Sequence, residues 1–201
     1  IACENYPALR ERQLVYVQKE FPPELGVYKD AIREFHLHAE YGGGQIAFRN
    51  LDEPEKYSSS QWAFIEVDEW TLNANKQLFD DLYFRLRFPP LPSNECFFAG
   101  SGNPQGPGLG ETKRRWIDRE FLPNENPKDF IFVQSFATDN PHIDQAYIDG
   151  LNNLPDDRRA AVRDGSWESF RGQFFPMYSR EVHVIDPIEL PRQAPRYRVI
   201  D

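Results

Sequence analysis

Cysteine and histidine are scarce in this chain, and basic residues are in the minority. Two Cys and four His occur in 201 residues, too few for a disulfide scaffold or a cysteine-rich zinc module. Cys3 and Cys96 lie far apart, each in an apolar run of strand character, so free thiols are expected. His36 and His38 share one strand face, but no further Cys or His clusters with them, and a metal site there is not expected. Lys and Arg number 23 against 32 Asp and Glu, a net charge of −9. No global basic field therefore attracts nucleic acid, and any DNA contact must come from a local patch. No apolar run approaches the ~18 residues of a bilayer span, and no signal-peptide pattern is present.

A phosphate-cradling loop is also missing. The stretch Gln105-Gly106-Pro107-Gly108-Leu109-Gly110-Glu111-Thr112-Lys113 superficially approaches G-x-x-x-x-G-K-[ST]. Gly110 is followed by Glu111 rather than Lys, however, and Pro107 removes an N–H donor that a phosphate nest would use. The chain opens at Ile1 inside an apolar run. It closes at Arg196-Tyr197-Arg198-Val199-Ile200-Asp201, which reads as a strand just beginning. The expectation is a window from a longer protein, with the phosphate loop upstream of Ile1.

What is present is an alternation of strands and helices. Seventeen Pro and twelve Gly fall in clusters, which reads as ordered loops. Ile1 to Tyr6 is predicted as a strand, followed by a helix with Pro7 in its first turn and an apolar stripe of Leu9, Leu14, Val17 and Phe21. Phe35 to Ala39 and Gln45 to Leu51 read as a hairpin around Tyr41-Gly42-Gly43-Gly44. A strand at Trp62, a helix over Leu72 to Leu86, a strand over Cys96 to Ala99, a helix over Glu111 to Phe121 and a strand over Phe130 to Phe136 complete an α/β pattern with a largely parallel sheet. Two short helices follow, with Asp144 as N-cap, Pro155 between them and Gly165 closing the second. The predicted organisation is a partial α/β core over 1–136, a helical lid or linker over 137–181, and an extended linker over 182–201 entering the first strand of a further domain.

The chemistry is concentrated at two strand ends. Trp62-Ala63-Phe64-Ile65-Glu66-Val67-Asp68-Glu69 is a mostly apolar run of strand length that ends in adjacent carboxylates. A buried parallel strand reads as a continuous apolar run, so acids belong where it emerges. There one carboxylate, Asp68, is placed to hold Mg²⁺, and the next, Glu69, to polarise a water for attack on a γ-phosphate. The alternative is an acidic strand end followed by a helix cap. Glu66 is a blemish: it shares the Asp68 face, so either it also faces the site or the strand is less buried than the pattern wants. Ser101-Gly102-Asn103, after the Cys96 strand, is a polar loop able to sense a phosphate, or a plain glycine-rich turn. Two such strand ends predict one site at the carboxyl edge of a sheet. Arg49 and Lys56 are candidates to reach a neighbouring subunit's nucleotide, or solvated surface charges. The basic run Lys113, Arg114 and Arg115 and the pair Arg158-Arg159 are the phosphate-contact candidates, with a solvated face as the default for each.

Taken in order, these segments resemble the large subunit of a tailed-phage terminase, the DNA-packaging motor. The carriers are Ala63 to Trp70, Gly102-Asn103-Pro104 with Gly106-Pro107-Gly108, Lys113 to Asp118, Asp139 to Asp144, and Gly165-Ser166-Trp167 with Gly172-Gln173-Phe174-Phe175. The resemblance implies an ATPase of the P-loop (ASCE) class in which Asp68 is the Walker B aspartate on Mg²⁺, Glu69 the catalytic glutamate and Ser101 to Asn103 the coupling loop. Asp201 stands where the first metal-binding aspartate of a ribonuclease-H-like endonuclease domain would stand. It further implies ATP and Mg²⁺ as cofactors and double-stranded DNA, a portal protein and a terminase small subunit as partners. A homo-oligomeric ring working in the host cytoplasm, with no membrane, belongs to the same expectation. The expected trans-acting arginine is not identifiable near Tyr57-Ser58-Ser59-Ser60. Two other readings remain: another P-loop-class, helicase-like DNA-dependent ATPase, and a non-catalytic truncated domain serving as an assembly surface. Without the phosphate loop, this segment by itself is expected to be inactive.

Overall fold

Ala2 and Cys3 form a strand whose side chains leave on opposite faces, and the fold is organised by that division. In the computed structural model, which describes residues 1–52, 57, 59–73, 76–168 and 183–184, these two residues are β1 (Ala2–Cys3). Ala2 joins a buried cluster with Leu51, Ile65, Val67, Leu78 and Leu82. Cys3 joins another with Leu9, Val17, Phe35 and Phe48. Each fully buried Leu, Val or Phe contributes about 1.5–3 kcal/mol of transfer free energy, so the sheet is held from both sides.

The Cys3 side is built by the segment that follows. The Asn5 side chain accepts from the Ala8 N–H at 2.9 Å and caps α1 (Tyr6–Leu9), with Pro7 in the first turn. A π-helical turn, Arg10–Leu14, connects α1 to α2 (Val15–Glu20). The chain then forms β2 (Gly26–Lys29), β3 (Glu34–Leu37) and β4 (Gln45–Ala47), an antiparallel meander in the order β2-β3-β4. The predicted hairpin is therefore present, with an unforeseen third strand. The apolar run Gln45 to Leu51 is split between two sheets, because β5 (Arg49–Asn50) pairs in parallel with β1. Phe48, buried between them, lies in the second cluster with Phe35 and Cys3.

The Ala2 side is built by β6 (Phe64–Val67) and α3 (Lys76–Tyr83), followed by β7 (Phe97–Gly100). The order is β5-β1-β6-β7 and every pairing is parallel, so the α/β class read from the sequence is observed. α3 buries Leu78, Phe79 and Leu82, the i, i+4 spacing of a helix face. It is shorter than the predicted Leu72 to Leu86 helix: Trp70–Leu72 is a separate 3₁₀ turn, and residues 74–75 lie outside the described residues. From β1 the chain moves to β5 on one side, then crosses to β6 on the other. That reversal makes the carboxyl ends of β1 and β6 a topological switch point.

One predicted strand is not formed. Phe130 to Phe136 pairs with no strand among the described residues, and Ile131 and Val133 are 77% and 81% exposed. Strand composition alone does not make a strand: its N–H and C=O groups need a neighbour. The helix expected from Glu111 begins earlier, as α4 (Leu109–Thr112), and runs into a π-turn at Lys113–Ile117. Asp144 accepts from the Tyr147 N–H at 2.8 Å and caps α5 (Gln145–Asn152), while Pro155 precedes α6 (Asp156–Val162). Gly165 follows with φ 58°, the left-handed conformation that glycine adopts without cost.

The chain forms two compact units, Ile1–Arg171 and Gly172–Asp201. Of the second, only His183 and Val184 are among the described residues, so Asp201 and most of the expected linker lie outside them. Among the described residues no helix is long and apolar enough to cross a membrane.

Candidate functional site at the carboxyl edge of the sheet

Parallel strands end at the same edge, so β1, β6 and β7 deliver Glu4, Asp68-Glu69 and Ser101-Gly102-Asn103 to one rim. The register is set by Ala2 opposite Val67 and Val67 opposite Gly100. The two strand ends singled out in the sequence meet: Ser101 Oγ lies 3.3 Å from Asp68 Oδ1. The turn after β6 and the loop after β7 are also joined through their backbones. Ser101 N–H donates to Val67 O at 3.1 Å, and Trp70 N–H to Ser101 O at 2.7 Å. The buried Thr71 hydroxyl donates to Asn103 O at 2.7 Å.

The glycines of the second loop serve this contact. Gly106 has φ 83°, and a Cβ there would sit 2.7 Å from Thr71 O; at Gly108 a Cβ would sit 2.4 Å from Asn73 O. Gly108 N–H in turn donates to Thr71 O at 2.8 Å. What resembles a phosphate loop in composition is therefore a backbone-on-backbone packing surface against Thr71 to Asn73.

Glu69 is held in an uncommon state. Its backbone is left-handed, with φ 51° and ψ 50°, a conformation that costs a non-glycine residue about 1–3 kcal/mol and clusters at functional sites. Its Oε2 is buried and has no hydrogen-bond partner among the described residues. Burial first, and the neighbouring Asp68 charge second, push the Glu69 carboxyl above the usual carboxylate range. A raised carboxyl at a strand end is suited to accept a proton.

Asp68 is engaged on both oxygens. Oδ1 faces Ser101, while Oδ2 lies 3.3 Å from Arg12 Nη1 and 3.4 Å from Gln13 Nε2. Arg12 Nη2 also binds Glu4. The Cys3 thiol sits 4.0 Å from Oδ2, and burial pushes it up to about 11, so it is a neutral neighbour. Both cysteines are free thiols, as expected. Glu4, Arg12, Gln13 and Thr71 are not singled out by the sequence. The signal they leave there is slight: Glu4 follows an apolar strand, and Arg12 lies off the apolar stripe of the next helix. It becomes legible once β1 is known to neighbour β6.

The other sequence candidates lie elsewhere. Arg115 is buried, its side chain 3% exposed, and pairs with Glu111 and Glu125. Its guanidinium lies over the rings of Phe79, Trp116 and Phe130. Arg114 binds the same two glutamates and Lys113 binds Asp118 and Glu168. The basic run is thus an ion-paired brace between α4 and the 119–130 loop. Arg49 binds Glu34 and the carbonyls of Ile32, Arg33 and Phe48; Lys56 lies outside the described residues. Arg159 pairs with Asp156. His36 binds Glu34 and His38 the carbonyl of Pro23. Glu66 is half-buried and lines a hollow near the amino ends of β1 and β6, with Arg49, Tyr57 and Arg85. The strand is therefore less buried than its apolar run implied, and Glu66 serves the opposite end.

Among the described residues no group of three or more His, Cys, Asp or Glu is placed to hold a metal by itself. A magnesium ion that serves a nucleotide needs less: one or two carboxylates, with phosphates and waters supplying the remaining oxygens. The Asp68 carboxylate beside the Ser101 hydroxyl is an all-oxygen donor set of that kind.

No protein-family model matches the chain, and no curated protein matches it. Among solved structures it is similar to the large terminase of a thermophilic bacteriophage, determined in complex with ADP. The TM-score is 0.57 at 15% sequence identity, over 94% of this chain and 45% of that one. The likeness is one of fold, and the chain spans less than half the length of that protein.

Proposed function

We propose that this chain is the Walker B and coupling-loop part of the ATPase of a terminase large subunit, the motor that drives double-stranded DNA into a viral prohead. The observation that carries the reading is the junction of the Asp68-Glu69 turn with the Ser101-Asn103 loop at one sheet edge. The fold shared with the bacteriophage large terminase, and the ADP bound to that protein, support it. Mg²⁺ and the ATP triphosphate, when bound, supply charge neutralisation and the electrophilic phosphorus. Asp68 would hold the ion, and Glu69 would orient a water and take its proton. Ser101 to Asn103 would transmit the change, since any shift of Ser101 is felt at Trp70 through their 2.7 Å bond.

The phosphate loop is assigned to sequence outside this chain. In support, β7 has one unpaired edge among the described residues. Phe97 on that strand is 57% exposed, and the strand-like run Ile131 to Val133 has no strand partner among the described residues. An added strand beside β7 would cover this surface. The endonuclease role of Asp201, the ring of subunits, the portal and small-subunit partners and the host cytoplasm follow from the same reading.

The test is made in the complete protein. Glu69→Ala is expected to abolish ATP turnover, by more than about a hundredfold, while ATP binding stays within a few-fold of wild type. Unimpaired hydrolysis would remove Glu69 from the role assigned to it. ATP hydrolysis without prohead-dependent packaging would favour a helicase-like motor instead.

A further inference from the structure

Arg12 is unassigned by the proposed function, yet it is built into the site from two directions. It lies in the π-turn Arg10–Leu14, a helical irregularity that recurs at functional sites. Arg12 and the next residue, Gln13, both reach the same oxygen of Asp68, at 3.3 Å and 3.4 Å. The second Arg12 nitrogen binds Glu4. Glu4 and Asp68 follow adjacent strands on either side of the switch point, so the guanidinium bridges the crevice. All three side chains are two-thirds or more buried.

The arrangement divides the labour of one carboxylate. Oδ2 is occupied by Arg12 and Gln13, and Oδ1 is left facing Ser101. Without Arg12, Glu4 and Asp68 would face each other at adjacent strand ends with no cation paired to both among the described residues. Their uncompensated negative charge would draw a divalent ion to Asp68 more strongly than the balanced arrangement does. A fixed guanidinium opposes that attraction, because it repels a second cation at the same carboxylate.

We propose that Arg12 is a resident cation and positioning residue of the Asp68 site. It fixes the carboxylate through Oδ2 and suppresses capture of a free divalent ion, so that the ion is retained only together with the phosphates it serves. The proposal rests on the reading of Asp68 as the magnesium-holding carboxylate.

The test is Mn²⁺ binding to the chain, followed by electron paramagnetic resonance of the free ion. Arg12→Gln is expected to tighten binding about fivefold or more, the scale of a unit charge acting on a nearby divalent ion in a water-like dielectric. Arg12→Lys should stay near wild type, and so should Arg10→Gln, since Arg10 is exposed and pairs with Glu11. Asp68→Asn should abolish the gain made by Arg12→Gln. Circular dichroism checks each fold, and Arg12→Met, which keeps the apolar stem, replaces Arg12→Gln if that variant unfolds. Unchanged or weaker binding in Arg12→Gln, with Asp68→Asn still weakening it, overturns the resident-cation role and leaves the Asp68 reading standing. An equal gain in Arg10→Gln reveals a general charge effect and also overturns it. Binding indifferent to Asp68→Asn in both backgrounds overturns the Asp68 reading itself.

Discussion

The Trp70 backbone N–H donates to the Ser101 carbonyl across 2.7 Å, so the turn carrying the acid pair and the loop after the next strand form one structural unit. Thr71 strengthens the junction. Its hydroxyl, on a residue only 2% exposed, donates to Asn103 O at 2.7 Å. Thr71→Val keeps the shape and removes the donor, leaving a carbonyl short of one partner. A loss of about 1–2 kcal/mol is expected, read from urea denaturation. Under the proposed motor function, the same variant in the complete protein should slow DNA-stimulated turnover more than basal turnover, because that proposal gives the junction a coupling role.

Gly106 and Gly108 permit the same contact from the other side. Alanine at either position would place a Cβ within 2.7 Å of a backbone oxygen, and backbone cannot swing away as a side-chain end does. Gly108→Ala is expected to cost about 1–3 kcal/mol. Gly110→Ala, where a Cβ meets nothing within 4 Å, should be neutral or slightly stabilising because it sits in α4. Equal midpoints for the two variants in urea titrations would contradict the packing role.

These glycines show what the sequence could and could not convey. Their spacing resembles a phosphate cradle, and only the three-dimensional partner, Thr71 to Asn73, reveals their use. β6 and β7 were legible because each is an apolar run of strand length ending abruptly in polar residues, a signature written along the chain itself, although neither strand is buried throughout. The Asp144 cap was legible because it depends on residues three positions apart. Phe130 to Phe136 misled for the opposite reason, since strand formation requires a neighbour that no local pattern supplies. Arg12 was illegible because its partners, Glu4 and Asp68, come together only through the order of strands. The basic run at Lys113 to Arg115 had the same difficulty: Glu111 was visible nearby, but Glu125 arrives through a loop.

Glu69 predicts a trade between stability and function. Its folded-state carboxyl is raised, by burial and then by Asp68, so the ionised form is disfavoured by the fold. That penalty is present above the folded-state value and is relieved as pH falls through it. Glu69→Gln removes the charge. It is therefore expected to unfold at higher urea than wild type at about pH 7.5, with the difference shrinking toward about pH 4. Under the proposed role of Glu69 in hydrolysis, the acid limb of the complete protein's turnover profile should lie above that of an ordinary carboxylate. A Glu69→Gln advantage that persists unchanged into acid would argue against this cause.

Glu125 behaves in the opposite sense. Its hydrogen bonds from Arg114 hold it down to about 2, below the usual 4.5. The stabilisation is fully present above the unfolded-state value and is lost as pH falls from about 4.5 toward 2. Glu125→Gln leaves the Arg115 guanidinium, buried against Phe79, Trp116 and Phe130, with Glu111 as its one carboxylate partner among the described residues. Breaking a buried pair on one side costs about 3–5 kcal/mol. The variant should melt well below wild type at about pH 7 and approach it near about pH 2.5. The Arg115→Met variant, which fills the same space without a charge to satisfy, should be much less destabilised than Glu125→Gln.

The open edge of β7 makes a prediction about association. Phe97 and the run Ile131 to Val133 expose apolar side chains and backbone groups without strand partners among the described residues, and such edges recruit other strands. The chain is therefore expected to self-associate in a concentration-dependent manner, measured by sedimentation velocity between micromolar and hundred-micromolar concentrations. Ile131→Lys with Val133→Lys should suppress association without lowering the melting temperature, because neither side chain is buried. A synthetic apolar strand peptide ending in a glycine-rich Lys-Thr loop should compete with self-association if it seats against β7. It should not compete once Phe97→Lys has placed a charge on the receiving strand. Self-association indifferent to all of these changes would locate the sticky surface elsewhere and remove the support that the β7 edge gives to a missing strand.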